Sequence, residues 1–269
     1  PALAQTTTAT LRGTVEDESG NAFPGAQVSA TNVATGYRNT STAPSDGSYS
    51  LGGLTPGRYR IDVVAPSYNA SSREVALLVG QNVTVDFRLT PNLVVMEEMT
   101  VIGDVPVEME ATEVAMNVTP EQIENLPQSN RNFLNFAGLA PGVTVSDDET
   151  RKTFQSGAQS ANAVNVFIDG VSFKNDVIQG GVIGQDASRG NPFPQNAVQE
   201  FRVLTQNYSA EFQKSSSAVI TAITKSGTNQ FSGDVFAFYQ DNGLVGDHPI
   251  TAAEQPFFER LQTGLSVGG

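Results

Sequence analysis

Between residues 8 and 90 apolar side chains recur at every second position, in short runs cut by turn residues. Leu11, Gly13 and Val15 alternate with Arg12 and Thr14, and Ala26, Val28 and Ala30 follow the turn Ser19-Gly20-Asn21. Tyr59, Ile61 and Val63 alternate with Arg58, Arg60 and Asp62; Val83, Val85, Phe87 and Leu89 alternate with Thr84, Asp86 and Arg88. A period of two places the apolar set on one face of a strand and leaves the other face to water. Such half-buried strands must cover one sheet with another. Asp46-Gly47 and Pro56-Gly57 supply hairpin turns. The pattern predicts an antiparallel sandwich of roughly seven strands.

Composition removes several function classes. The chain has no cysteine and one histidine, His248. That excludes a disulfide framework, a zinc–thiolate site, a thiol nucleophile and any multi-histidine metal site. No G-x-S-x-G or phosphate-binding loop occurs. We therefore expect no enzyme, no catalytic residue, no cofactor and no metal. The net charge of −13 is unevenly spread, because residues 91–130 hold eight acidic residues and no basic one. Nucleic acid is an unsuitable partner, since binding it requires a basic footprint. A basic protein is a suitable one, and a solvated acidic linker is compatible with the same composition.

Inside that acidic segment lies Met96-Glu97-Glu98-Met99-Thr100-Val101-Ile102-Gly103, a short β-prone run between two very different regions. An isolated strand of this kind can add to another protein's sheet edge through backbone hydrogen bonds. Residues 91–118 are expected to be mobile without a partner, being acidic, interrupted by Pro91 and Pro106, and too poor in apolar residues for a core. At the other end, Pro1-Ala2-Leu3-Ala4-Gln5 reads as the tail of a secretory signal peptide. No apolar run reaches the length of a transmembrane helix. Barrel strands escape that test because they are short and alternate.

Beyond residue 118 the pattern becomes mixed. Thr119-Pro120-Glu121-Gln122 combines an N-cap, proline at the first helical position and a capping box, so a helix should run to about Asn125. Ser129 should cap a second helix with Phe133, Leu134, Phe136 and Leu139 on its apolar face. The run from Val164 to Ile168 should turn at Asp169-Gly170 into Val171-Ser172-Phe173. A short helix over residues 196–200, a strand over 201–204 and another over 218–224 should follow. A long Gly/Asn/Asp-rich loop spans residues 176–194, where Gln185, Asp186 and Arg189 are candidate substrate contacts. Then comes Phe231-Ser232-Gly233-Asp234-Val235-Phe236-Ala237-Phe238-Tyr239-Gln240, about one membrane-crossing strand long. Residues 261–269 begin a second.

Two resemblances follow from these residues. Gly13-Thr14-Val15, Pro24-Gly25-Ala26-Gln27-Val28, Asp46-Gly47-Ser48-Tyr49 and Leu54-Thr55-Pro56-Gly57-Arg58-Tyr59 resemble the carboxypeptidase regulatory-like domain, which has a transthyretin-like fold. The order of the pieces resembles the start of a TonB-dependent outer-membrane transporter. Phe167-Ile168-Asp169-Gly170-Val171, the run from Val198 to Leu204 and the run from Ala218 to Asn229 match its plug motifs. Asn207-Tyr208-Ser209-Ala210-Glu211-Phe212 with Lys225-Ser226-Gly227-Thr228-Asn229 points to the Oar-like branch. Residues 212–218 depart from the glycine-rich plug pattern, so siderophore-type ligand rules do not transfer.

The resemblance implies a mainly β chain with α+β character. Residues 1–7 would be a signal-peptide remnant and mature N-terminus, and 8–90 a transthyretin-like sandwich. Residues 91–118 would be an acidic linker carrying the TonB box, 119–229 a mixed α/β plug, and 230–269 the first strands of a truncated barrel. Glu97, Glu98, Met99, Thr100, Val101, Ile102 and Gly103 would bind the TonB C-terminal domain. The place would be the outer membrane of a Gram-negative bacterium, with this portion facing periplasm and lumen. The function would be energised movement of a large peptide, protein or glycan. The competing reading is an extracellular adhesive or structural protein built on a sandwich module.

Overall fold

A computed structural model describes residues 7–92, 100–102, 113–126, 128, 131–146, 153–177, 182–183, 193–244 and 258–269. The chain divides into two units, Pro1–Lys225 and Ser226–Gly269.

The first unit begins with the sandwich. Its strands are β1 (Ala9–Glu16), β2 (Gln27–Asn32), β3 (Arg38–Thr42), β4 (Ser48–Leu54), β5 (Gly57–Val64), β6 (Ser71–Leu77), β7 (Asn82–Thr84) and β8 (Phe87–Arg88). One sheet runs β4-β1-β7, with β8 also on β1. The other runs β3-β2-β5-β6 and ends on β9 (Thr100–Ile102). The alternating residues face inward as the period requires: Leu11, Val15, Val28, Ala30, Tyr59, Ile61, Val63, Val83, Val85, Phe87 and Leu89 are all buried in one core.

The sandwich is not wholly antiparallel, as the alternation alone predicted. β7 and β8 both pair with β1 in parallel. The break between them is bridged by a side chain: the Asp86 carboxylate accepts from the Thr14 backbone N–H (2.8 Å) and hydroxyl (2.9 Å). Val85 comes so close to β1 that a Cβ on Gly13 would lie 1.9 Å from its carbonyl oxygen. The Tyr49 hydroxyl donates to that same oxygen at 2.5 Å. Gly13 is therefore a packing requirement and not a flexible point.

The mixed domain follows. Helix α1 (Pro120–Asn125) starts at Thr119 with the full reciprocal capping box to Gln122. The second helix is a 3-10 helix, Phe133–Leu139, capped by the Asn132 side chain; the expected cap Ser129 lies outside the described residues. The strands are β10 (Val114–Val118), β11 (Val143–Val145), β12 (Phe154–Ser156), β13 (Val164–Ile168), β14 (Val171–Ser172), β15 (Val198–Gln206) and β16 (Ala218–Thr224). β11 and β12 form a separate two-stranded ribbon. The main sheet is ordered β10-β15-β16-β13-β14, with β13 parallel to β16. β10 falls within the segment expected as linker and extends this sheet along β15. A 3-10 turn at Gln195–Ala197 replaces the expected short helix, and β15 begins at Val198. Phe133 and Phe136 pack on Phe201 with ring centroids 6.2 and 6.1 Å away.

Asp169 and Gly170 both have positive φ, 49° and 80°, as a two-residue hairpin turn demands. The Asp169 carboxylate also accepts from the Thr224 N–H (3.0 Å) and hydroxyl (2.8 Å), tying the turn to the end of β16.

The second unit is a hairpin of β17 (Ser232–Asp241) and β18 (Glu259–Gly268), in register from Ser232↔Gly268 to Asp241↔Glu259. Val235, Tyr239, Leu261, Leu265 and Val267 lie on one face by period and register, all exposed. The other face carries Asp234, whose carboxylate accepts from the Ser266 hydroxyl at 2.8 Å. Phe236 lies over Gly264, where a Cβ would come within 2.6 Å of the ring. Among the described residues no helix is long and apolar enough to cross a membrane, a statement that does not bear on strands.

Candidate functional site

Thr100, Val101 and Ile102 form β9, and β9 is not free. It runs parallel to β6, with Ser72 opposite Thr100, Arg73 opposite Val101 and Glu74 opposite Ile102. This differs from a strand belonging to neither neighbour, and the physical reason is plain. β6 would otherwise end its sheet with a row of unpaired backbone groups. A run of three β-branched residues is the segment best suited to pair with it. Glu97, Glu98, Met99 and Gly103 lie outside the described residues, as do Gln185, Asp186 and Arg189.

A second constellation joins the sandwich to the mixed domain. β6 leads into a tight turn at residues 78–81, closed by Gln81 N–H to the Leu78 carbonyl (3.2 Å) and Leu78 N–H to the Gln81 side chain (3.1 Å). The turn inserts against β15. The Glu200 carboxylate accepts from the Val79 backbone N–H. The Arg202 guanidinium donates to the carbonyls of Val79 (3.2 Å) and Gly80 (2.6 Å), and on its other side to the Glu113 carboxylate (3.2 Å). Asn117 on β10 donates to the Val79 carbonyl at 3.4 Å, and Gln199 reaches the Pro56 carbonyl at 3.3 Å.

Glu200 and Arg202 are almost fully buried. They sit two residues apart on one face of β15 and between them satisfy the polar backbone of the inserted turn. Burial pushes the Glu200 carboxyl up to about 7; the Val79 N–H and the Arg202 charge oppose the shift, and the Glu121 charge reinforces it. In the sequence the run from Val198 to Leu204 stands out as a strand motif, with no role evident for these two residues. The available signal was an acid and a base two positions apart in an otherwise apolar strand.

Comparison with known proteins bears on the sandwich and on the chain as a whole. Residues 10–90 match the family described as the carboxypeptidase regulatory-like domain. The sandwich is a carboxypeptidase regulatory-like domain. The chain as a whole is 28% identical over 257 residues to the TonB-dependent transporter Oar of Myxococcus xanthus, covering 91% of this chain. The two findings together support an Oar-like protein. The chain spans about a quarter, 23%, of the length of that curated relative.

Solved structures overlap only in part. The Bacillus anthracis TIE protein matches 32% of this chain and 17% of its own, at 17% identity and a TM-score of 0.29. Catechol 1,2-dioxygenase from Acinetobacter matches 36% of this chain and 59% of its own, at 14% identity and a TM-score of 0.28. Overlaps of this extent carry no argument about fold or chemistry.

Proposed function

We propose that this chain is the energised, periplasm-facing part of an outer-membrane transporter. In this reading the regulatory-like domain precedes a TonB box at residues 97–103, the mixed domain is a plug, and β17 and β18 are barrel strands. The observation that carries the reading is the similarity to Oar, which extends across the regulatory-like domain and the residues after it. The hairpin supports it. Each strand has ten residues, within the ~9–11 that cross a bilayer. One face is apolar and exposed while the other is mixed, as lipid-facing and lumen-facing sides require.

The protein partner is the TonB C-terminal domain, whose sheet would pair with the box. Eight acids without a base over residues 91–130 suit a basic partner. The location is the outer membrane of a Gram-negative bacterium, with this portion in the periplasm and barrel lumen. The cargo is a large peptide, protein or glycan, and residues 185, 186 and 189 remain candidate contacts. No catalysis is involved, since the work comes from force applied to the box. An adhesive or structural role accounts for the sandwich alone and leaves the hairpin and the plug motifs without a purpose.

The test is Val101→Pro in the full-length protein of the source organism. Proline removes a backbone donor and resists strand pairing. The variant should reach the outer membrane at the normal level yet reproduce the phenotype of a deletion and of a strain lacking TonB. Full complementation by the proline variant would contradict the assignment.

A further inference from the structure

β9 is the last strand of its sheet. One of its edges is taken by β6 over three residue pairs. Among the described residues no strand lies on its other edge. A three-residue segment is thus held extended by the regulatory-like domain, with a backbone edge turned outward. An edge of that kind is a template for a further strand.

We propose that the regulatory-like domain presents the box: β6 holds Thr100–Ile102 as a preformed edge strand, to whose outer side the sheet of a basic partner adds. This rests on the box assignment made above and names how that site is set up for binding. The benefit is entropic. A free acidic segment must be ordered at the moment of binding, which weakens its association. A segment already extended on β6 has lost that freedom before the partner arrives. The partner's strand and β6 then lie on opposite sides of β9, and the five-stranded sheet β3-β2-β5-β6-β9 continues into the partner.

The position of β6 gives this arrangement a consequence for force. β6 runs straight into the turn at residues 78–81, which Glu200 and Arg202 grip on β15. Load on a presented strand therefore reaches the plug sheet through β6 and the turn, besides passing along the chain toward Glu113. Arg202 is met by both routes, since it also pairs with Glu113.

The chain contains no cysteine, which makes a clean test available. Ser72→Cys with Thr100→Cys places two thiols on directly opposed residues, within the span a disulfide bridges. Ser72→Cys with Ile102→Cys is the out-of-register control. The 269-residue chain in detergent is oxidised, and binding of the organism's TonB C-terminal domain is compared before and after reduction. Thermal melts of each single-cysteine variant check the fold.

The in-register pair should crosslink readily and the control poorly. Oxidised and reduced forms should bind within about threefold of each other, the oxidised form being the tighter. A loss of about tenfold or more on oxidation would show that β6 competes with the partner, and would overturn presentation while leaving the box assignment intact. Failure of the in-register pair to crosslink would also overturn it. Ready crosslinking with no binding by either form would overturn presentation and the box assignment together.

Discussion

Glu200 is a buried carboxyl held far from its ordinary chemistry. Its carboxyl is raised from 4.5 to about 7 because it is buried beside the inserted turn. A raised carboxyl pKa means that the folded state holds the proton more tightly than the unfolded one. The stabilisation from protonation is complete below about pH 4.5 and is lost as pH rises through about 7. At one pKa unit per 1.4 kcal/mol, the loss on reaching pH 8.5 is on the order of 3 kcal/mol. Glu200→Gln keeps an acceptor for the Val79 N–H and removes the charge. Denaturant unfolding should show the variant more stable than the parent at pH 8.5, with the difference closing at pH 5. Curves offset by the same amount at both pH values would contradict this account of Glu200. The role of this residue was hidden in the sequence for a physical reason. Its partner, Val79, is 121 positions away, and no local period encodes a contact of that range.

Among the elements, those set by local chemistry were legible. The Asp169-Gly170 turn adopts the two positive φ angles its residues favour. Thr119, Pro120 and Gln122 form the capping box their spacing implies. That cap yields a prediction. Thr119→Ala should destabilise the mixed domain by about 1 kcal/mol, and Thr119→Ser should recover most of the loss. Unfolding followed by a probe in the mixed domain would check this, and an unchanged midpoint for the alanine variant would contradict the role of the cap. Elements set by distant pairing were not legible. β7 and β8 lie parallel to β1 because Asp86 and the Gly13–Val85 approach hold them there. The alternation of residues 83–89 is the same for either direction. β10 was hidden in an acidic, apparently featureless segment, since its pairing depends on the open edge of β15. Similarly, the β-prone character of β9 is legible in residues 100–102, but its docking depends on β6, which periodicity cannot choose as a partner.

At the scale of the molecule, the regulatory-like domain does more than precede the mixed domain. Its sheet edge holds β9, and its turn at residues 78–81 is seated on the main sheet of the mixed domain. Placed in a transporter, it would set the geometry of the box before TonB arrives. The separate hairpin unit, with ten-residue strands and one exposed apolar face, has the dimensions of barrel strands. The claim that joins these parts is that residues 100–102 receive a partner strand. Amide hydrogen exchange of the 269-residue chain, with and without the TonB C-terminal domain, tests it most directly. The account predicts that, within Thr100–Ile102, the amides facing β6 exchange slowly in the chain alone and those on the outer edge exchange rapidly until the domain is added, while Ser72, Arg73 and Glu74 stay protected throughout. Exchange at Thr100–Ile102 that is unaltered by a saturating excess of the domain would contradict the claim.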